Sequence, residues 1–352
     1  MKCLLFFALY FSLSGNPKPT TVLWKFNNMY NPCVVKTKGE YQYKMWFFGW
    51  ALDHTNQSFP GCDAIFHARS KDMLKWEVYS GKNRWDSDLN PKVWQPVITA
   101  SDQWYEAWHV GDPSVVEHNG KFYMAYSATS KHFSKREGYP ATMVQCLMGA
   151  ISEDGINWKK SPQPILINKI DSKDPKPAPG RIGDFHRPSL NLIDGKWKLW
   201  FDYWHPKHGV CMGLAECEMN NFLIQDGFSL LQDINHPIMT NWPNPEILKT
   251  EKGYICFADP VGYPIKKGQP NWMSRQLQYA TSKDGIRWHR KKFLSPDKDS
   301  DACHVPQSLL IGNQLYLFYS TQIGYSKNDG KYHYQYDRIR FRKYPLEYFL
   351  KE

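Results

Sequence analysis

Five short segments of the chain place polar or small residues on both sides of a proline, just before an apolar run. The flanking pairs are Asn31/Cys33, Asp112/Ser114, Arg187/Ser189, Asn244/Glu246 and Val305/Gln307. Asp184 and His186 stand shortly before the third proline, and His304 shortly before the fifth. Carboxylates and imidazoles are common proton donors and acceptors in catalysis. Brought together, these residues would support acid–base chemistry on a bound molecule.

Asp112 is the strongest candidate for a catalytic group, and Glu246 faces the same way if side chains alternate along each strand. Two carboxyl groups across one channel can divide the work, one donating a proton while the other activates water. Asp184 and His186 are further catalytic candidates. As structural alternatives, Asp112 can bind backbone at the start of a strand, and Glu246 can pair with Arg187. Asp184 can equally be a turn residue, and His186 a buried, hydrogen-bonded histidine.

Other residues near these segments are candidates for contacts with a ligand. Arg187 can hold a carboxylate or sulfate through two parallel hydrogen bonds, or form a salt bridge to Asp112 or Glu246. Tryptophans near strand ends offer an apolar face for stacking, although most tryptophans in a sheet protein pack in the core. The remaining ligand-binding candidates are Asn31, Asn244, His304, Trp50 and Trp108.

The elements that must position these residues form an internal repeat. Each unit has a proline, an apolar stretch, a turn with Gly or Asn, and an aromatic-rich strand, which together are typical of a β-hairpin. The prolines are 57 to 81 residues apart and are Pro32, Pro113, Pro188, Pro245 and Pro306. Three units also contain SKDMLKW from Ser70, SEDGINW from Ser152 or SKDGIRW from Ser282. The Asp in each of these segments predicts a capped turn before a further strand.

The repeat predicts an all-β protein, a five-bladed β-propeller with four antiparallel strands in each blade. Residues 16–352 form this single domain. The 15 Trp, 21 Tyr and 19 Phe are a composition that suits strands. The innermost strand of each blade lines the central channel of a propeller. We therefore expect the candidate residues to gather around one axis.

The N-terminal segment, residues 1–15, predicts a secretory signal peptide, with Lys2 before an apolar run. We expect a secreted or periplasmic protein, with a buried first strand as the alternative interpretation. Without that segment seven of the eight cysteines remain, so at least one thiol has no intramolecular partner. The net charge of +10 is spread along the chain, which disfavours a nucleic-acid partner. No later segment is apolar for long enough to predict a membrane helix.

The five-unit pattern, the Asp-Pro pair at Asp112 and the Ser-x-Asp-x-x-x-Trp turns resemble five-bladed propeller glycoside hydrolases. Families 43, 32, 62, 68 and 117 are the relevant ones, and the resemblance covers residues 22–345. It implies cleavage of a glycosidic bond in a polysaccharide or oligosaccharide by carboxyl groups at the channel mouth. Those families typically use an Asp on blade one as base or nucleophile, an Asp on blade two for orientation and acidity, and a Glu on blade three as acid. Asp112 matches the blade-two position.

The other two positions depart from that family pattern. Blade one has Asn31 in place of the Asp, and an amide cannot act as a base. Blade three has His186 where the acid stands, which is similar to the use of a His acid in family 117. Asp53 or Asp63, which flank a loop at the end of blade one, could supply the missing carboxylate. An Asp112/Glu246 pair across the channel would suit an inverting mechanism, with roughly 6.5–9.5 Å between carboxyl groups.

Two functions therefore stay open at this stage. The leading expectation is a secreted glycosidase with a carbohydrate substrate and no nucleic-acid or membrane partner. The alternative is a non-catalytic carbohydrate-binding propeller that has lost its blade-one base. A propeller used only for protein contacts is disfavoured, because it has no need of converging polar residues. No cofactor is predicted, although His304 resembles a channel-facing His of family 43 and leaves a calcium ion in the channel open.

Overall fold

The computed structural model consists mainly of antiparallel β-strands in five sheets. It describes residues 17–24, 26, 28–50, 63–130, 144–168, 183–225, 227–262, 274–322 and 337–351. The signal peptide predicted for residues 1–15 lies outside these ranges. The innermost strands of neighbouring sheets contact one another around a ring. The protein is a five-bladed β-propeller, which confirms the prediction from the repeat.

The strands follow one another outward from the axis within each blade. Strand β1 is Thr20–Trp24, and blade one contains β2 (Tyr30–Lys36), β3 (Tyr43–Trp50), β4 (Asp63–Ser70), β5 (Trp76–Tyr79) and β6 (Trp85–Asp86). Blade two contains β7 (His109–His118), β8 (Lys121–Thr129), β9 (Gln145–Ser152) and β10 (Lys159–Lys160). Blade three contains β11 (Gly183–Ile193), β12 (Lys196–His205), β13 (Gly209–Glu218), β14 (Ser229–Leu230) and β15 (Met239–Thr240).

Blade four contains β16 (Glu246–Thr250), β17 (Gly253–Ala258), β18 (Gln278–Ser282) and β19 (Trp288–Phe293). Blade five contains β20 (Ala302–Ile311), β21 (Gln314–Gln322) and β22 (Arg338–Pro345). Three 3-10 helices span Pro91–Val93, Trp104–Glu106 and Met219–Asn221, and the helix α1 spans Glu347–Leu350. No helix in the described ranges has the length and apolar character needed to cross a membrane. Short additional strands in blades one and three depart from the predicted four per blade.

Blade five is completed by the N-terminal strand β1, which pairs with β22. Leu23 lies opposite Ile339, and both side chains are buried. The Arg340 guanidinium also donates a hydrogen bond to Thr21, with 3.1 Å between Nε and Oγ1. The repeat pattern did not predict this closure, because β1 precedes the first repeating unit.

The five innermost strands share a backbone feature at the proline. Each residue immediately before it has a φ between 47° and 52°, and these residues are Asn31, Asp112, Arg187, Asn244 and Val305. This left-handed region is costly for residues other than Gly, and most of all for a β-branched residue. A register shift occurs here in four of the five hairpins. Bulges of this kind locally re-aim side chains.

The residues just after the prolines form a closed circle of hydrogen bonds, which we call the belt. Each accepts a bond from a backbone N–H of the neighbouring blade, at 2.8–3.1 Å. The pairs are Val34 to Gln307, Val115 to Cys33, Leu190 to Ser114, Ile247 to Ser189 and Ser308 to Glu246. Because the circle includes all five blades, these polar side chains hold the inner strands together.

The three Ser-x-Asp turns are alike in detail and confirm the structural interpretation. In blade two, Asp154 accepts bonds from the backbone N–H groups of the residues two and three positions later. Trp158 donates its indole N–H to the carbonyl of Gly155, and Trp46 of blade one donates to the same carbonyl. The turn at Asp284 in blade four repeats this arrangement with Trp200 of blade three. The turns of blades two and four therefore also fasten neighbouring blades.

Hydrophobic side chains fill the spaces between the sheets in five clusters. The six cysteines that the structure describes are buried, and they are Cys33, Cys146, Cys211, Cys217, Cys256 and Cys303. Burial raises the pKa of the Cys33 thiol to about 12, so this thiol stays protonated in the belt.

Candidate functional site

The axis of the propeller is nearly closed at the level of the prolines. A cavity of about 10 Å³ is lined by the prolines of four blades and by residues beside them, which include Asn31, Arg187, Asn244, Glu246 and Gln307. This volume is about that of one water-sized probe. A larger ligand therefore does not fit at this level. We call the end of the channel where the innermost strands begin the mouth.

Asp112 is buried at the mouth, at the left-handed position of β7. Its Oδ2 lies 3.1 Å from Nε2 of His186, and its Oδ1 accepts a hydrogen bond from the Asn31 amide at 3.2 Å. Burial opposes ionisation, but His186, Arg187 and the Ser127 hydroxyl together lower the pKa of Asp112 from 3.8 to about 2. Asp112 is therefore a carboxylate at neutral pH.

His186 lies between two carboxylates from different strands. Nε2 faces Asp112, and Nδ1 is 3.8 Å from Oδ1 of Asp202 in β12. Nε2 is within hydrogen-bond distance of Asp112, whereas the contact of Nδ1 with Asp202 is longer than a hydrogen bond. The imidazole therefore lies between two carboxylates at the mouth. Sequence reasoning missed Asp202.

Arg187 approaches the same two carboxylates at ion-pair distances. Its Nη1 is 3.6 Å from Oδ2 of Asp202, and its Nε is 4.0 Å from Oδ1 of Asp112. Burial favours the neutral form, but Asp202 and Asp112 outweigh it and raise the pKa of Arg187. The predicted alternative of a salt bridge to Asp112 is present. The other alternative, a salt bridge to Glu246, is not among the described ion pairs of Arg187, which join it to Asp112 and Asp202.

A second group at the mouth comes from blades four and five. Asp259, which follows β17, accepts hydrogen bonds from the Asn244 amide and from the Val305 backbone N–H. Arg275 lies 3.6 Å from Asp259 through Nη1. Burial raises the pKa of Asp259 from 3.8 to about 6, against the lowering effect of Arg275 and these hydrogen bonds. Neither Asp259 nor Arg275 was among the residues predicted from the sequence.

Asp202 and Asp259, which were not predicted from the sequence, occupy a position that recurs from blade to blade. Ser127 in blade two lies opposite Gly111, Asp202 in blade three lies opposite His186, and Ser320 in blade five lies opposite His304. Asp259 has the corresponding place in blade four. The signal was therefore a polar residue near the end of the second strand, visible once the hairpins are paired in register.

His304 and Tyr30 lie close together at the mouth, with their ring centroids 5.8 Å apart. Burial, together with the charges of Arg275 and Arg187, lowers the pKa of His304 to about 3. Burial also raises the pKa of Tyr30, as do the negative charges of Asp112 and Asp63. At neutral pH the two side chains are thus a neutral imidazole and a phenol. Tyr30 is an aromatic group at the mouth that was not predicted.

Asp63 is the one of the two predicted substitute carboxylates that the structure describes. It begins β4, and its Oδ2 lies 2.9 Å from Nδ1 of His109. Its effect on the pKa of Tyr30 places it within electrostatic reach of the mouth. Asp53 lies outside the described residues.

Glu246 belongs to the belt. Its Oε1 accepts bonds from the Ser308 backbone and hydroxyl, and its Oε2 accepts one from the Ser189 hydroxyl. Burial raises the pKa of Glu246 from 4.5 to about 7, although these hydrogen bonds lower it. Among the described contacts, none joins Glu246 to Asp112. The Asp112/Glu246 pair across the channel therefore stays a prediction.

Asp184 and the two predicted tryptophans have further contacts. Asp184 Oδ1 accepts a hydrogen bond from the Gln145 backbone N–H at 3.2 Å, between blades three and two. Trp108 is half-buried, with its ring edge-on to that of His109. Trp50 is only 2% exposed. This burial leaves little of the Trp50 ring open to stacking, and the prediction that it binds a ligand stays a prediction.

The predicted calcium option does not fit the surroundings of His304. Within the described ranges, no three His, Cys, Asp or Glu side chains are grouped so that they could hold a metal ion. The Arg187 and Arg275 guanidinium groups are close enough to lower the pKa of His304. The same positive charges repel a divalent cation at this position.

The fold and the mouth together define a five-bladed propeller with buried carboxylates at one end of its channel. No protein-family model and no curated protein matches the chain. Solved structures do match, and one is the Bombyx mori GH32 beta-fructofuranosidase BmSUC1, with a TM-score of 0.60 and 16% identity. The match covers 94% of this chain but 63% of that enzyme, so the chain spans less than two thirds of its length.

Two other matches cover most of both chains. Zg3597, a family 117 glycoside hydrolase of the marine bacterium Zobellia galactanivorans, has a TM-score of 0.61 and 14% identity, over 93% of this chain and 90% of that one. A thermostable family-43 glycoside hydrolase has a TM-score of 0.56 and 14% identity, over 92% of each chain. The protein thus shares the fold of propeller glycoside hydrolases of families 32, 43 and 117, as the sequence resemblance implied.

Proposed function

We propose that the protein is a glycosidase that cleaves a glycosidic bond of an oligosaccharide or polysaccharide at the mouth. The observation that supports this most directly is the imidazole of His186 between Asp112 and Asp202. The fold shared with glycoside hydrolases supports the same reaction class. His186 transfers the proton to the glycosidic oxygen, and Asp112 is the residue that positions the ring.

The distance between His186 and Asp112 determines how the roles are divided. Groups on the two sides of a scissile bond are roughly 5–9.5 Å apart in glycosidases, whereas these two are 3.1 Å apart. They therefore act as one unit on one side of the bond. We assign the second role, activation of water or attack on the sugar, to Asp63, whose Oδ2 is held by His109.

The test is a screen of the purified protein against aryl glycosides and plant and algal polysaccharides. We expect His186→Gln to lower kcat by about 10²–10⁴-fold, the usual contribution of a general acid or base. Asp63→Asn lowers kcat on the same scale if it is the second group. Asp154→Asn is the matched control, because it changes a capped turn outside the mouth. Proton NMR of the fresh product anomer distinguishes inversion from retention.

A non-catalytic carbohydrate-binding propeller is the second candidate, and Asn31 favours it. The amide stands where related families have a base, and it donates a hydrogen bond to Asp112. This function predicts saccharide binding without turnover on any substrate, and binding that His186→Gln leaves unchanged. That outcome would refute the glycosidase.

We further propose that residues 1–15 direct export, as their pattern predicts. Expression of the full chain in a secreting host should release protein that begins shortly after residue 15. N-terminal sequencing of the released protein tests this, and retention of the intact N-terminus inside the cell would refute it.

A further inference from the structure

The guanidinium groups of Arg187 and Arg275 face the mouth more openly than the carboxylates that hold them. We propose that the saccharide bound there is acidic, and that its carboxylate or sulfate group binds these two arginines. This inference rests on the proposed function only in taking the ligand to be a saccharide.

Exposure separates the two signs of charge at the mouth. The side chains of Arg187 and Arg275 are 22% and 18% exposed, whereas those of Asp112, Asp202 and Asp259 are 3%, 4% and 0% exposed. The carboxylates thus lie behind the arginines. A ligand that enters the mouth meets the positive groups first.

The arginines also have hydrogen-bonding capacity to spare. Their ion pairs with Asp112, Asp202 and Asp259 span 3.6–4.0 Å, which is longer than a hydrogen bond. The Nε of Arg187 is buried and has no hydrogen-bond partner among the described residues. A buried donor without an acceptor is unfavourable, and the exposed part of this guanidinium is free to turn towards an oxygen of a ligand.

Both arginines belong to one connected group of contacts. Asn244 joins the carboxylates that pair with them, because its backbone N–H donates to Oδ2 of Asp202 at 2.9 Å and its amide donates to Asp259. Two guanidinium groups, paired with Asp202 and Asp259, therefore lie on either side of Asn244 at the mouth, where a single anionic group can engage both. The planar fork of a guanidinium matches two oxygens of a carboxylate or sulfate. Sugar hydroxyls lack the charge that makes such bonds strong.

The experiment compares acidic saccharides with neutral counterparts of the same backbone. A glycan array first ranks binding to uronate-containing and sulfated polysaccharides against their carboxyl-reduced and desulfated forms. Calorimetry then measures oligogalacturonate against the carboxyl-reduced oligosaccharide, and sulfated against desulfated carrageenan oligosaccharide. We expect the acidic member of at least one pair to bind at least about tenfold more tightly, since a charged hydrogen bond is worth about 1.5–3 kcal/mol.

Variants connect the preference to the mouth. Arg275→Gln should remove most of the preference, and Arg275→Lys should restore it only partly, because a lysine lacks the bidentate fork. Arg290→Gln is the matched control, since Arg290 lies on the outermost strand of blade four. Circular dichroism and thermal unfolding establish that each variant is folded.

The outcomes separate this inference from the glycosidase. The inference is overturned if acidic and neutral members are bound or cleaved equally. It is also overturned if no acidic saccharide on the array is bound. In either case the proposed glycosidase activity is still decided by its own test. Acid-selective binding that Arg275→Gln abolishes, without turnover, supports the inference and refutes the glycosidase. Acid-selective binding that Arg275→Gln leaves intact overturns the inference as well.

Discussion

His186 of blade three contacts Asp112 of blade two, with 3.1 Å between Nε2 and Oδ2. The two residues reach each other across a blade boundary, and Asp202 approaches the same imidazole from the second strand of blade three. The geometry of the mouth therefore depends on the spacing of neighbouring blades, which the belt maintains. Changes in the inner strands should affect both stability and chemistry.

Acid should destabilise the protein partly through Asp112. Because its folded pKa of about 2 lies below the ordinary 3.8, its stabilisation is present above pH 4 and is lost as pH falls through 2. Between pH 6 and pH 3, we expect the free energy of unfolding to fall by roughly 1 kcal/mol less in Asp112→Asn than in the wild type. Urea denaturation at both pH values measures this difference.

Asp259 is the matched control for this measurement, because burial raises its pKa to about 6. Its stabilisation is full below pH 4 and declines as pH rises through 6, so Asp259→Asn should change the pH dependence in the opposite direction. If stability depends on pH equally in the wild type and in Asp112→Asn, then the contacts of Asp112 do not favour its ionised form.

Glu246→Gln should preserve the fold and turnover. Gln307 already occupies the same belt position in blade five and accepts the same kind of backbone hydrogen bond. The folded pKa of Glu246, about 7 against 4.5, means that its stabilisation is lost as pH rises through 7. The variant should therefore lose roughly 2 kcal/mol less stability between pH 5 and pH 8. If the variant is folded but has no turnover, Glu246 is a catalytic residue as the sequence analysis predicted.

Asp112 and Glu246 show how much of the site could be predicted from the sequence alone. The proline-marked hairpins and the capped turns were predictable because their signals are local: turn residues, alternation and an Asp that caps backbone N–H groups. The repeat also placed Asp112, His186 and Arg187 around one axis. Alternation placed Glu246 on the channel, and it does line the cavity at the level of the prolines. Its hydrogen bonds to Ser308 and Ser189 of the neighbouring blades were not predictable from a local pattern.

Asp202, Asp259 and Arg275 were missed for a different reason. Asp202 and Asp259 stand on or just after the second strands, so their place at the mouth depends on hairpin register and on how neighbouring blades pack. Arg275 pairs in an isolated bridge with Val261, outside the repeating strands. Such long-range relationships are absent from local patterns. The closure by β1 was missed likewise, since its partner β22 lies at the far end of the chain.

Gly111→Ala should reduce both stability and turnover. A Cβ at this position would lie 2.1 Å from Cδ2 of Phe48 in blade one, so either the ring or β7 must move. Overpacking of this kind costs about 1–3 kcal/mol, and movement of β7 displaces Asp112. Thermal unfolding and kcat test this, and adding Phe48→Leu should restore part of each. An unchanged kcat in the single variant would contradict the link between this packing and the mouth.

Closure of blade five should depend on Leu23. This side chain is fully buried opposite Ile339, whereas the next residue, Trp24, is 37% exposed. Leu23→Asp buries an unpaired charge and should lower the free energy of unfolding by at least about 3 kcal/mol. Trp24→Asp is the matched control and should cost less than about 1 kcal/mol. Equal effects in urea denaturation would show that β1 contributes little.

The pairing of β1 with β22 also has a consequence for synthesis. Thr20–Trp24 leaves the ribosome early, but its partner Arg338–Pro345 emerges only after the other four blades. Until then the early strand has no edge to join, and blade five remains open. Nascent chains thus expose unpaired strand edges, which favour association between chains. Premature termination anywhere before β22 would make that exposure permanent.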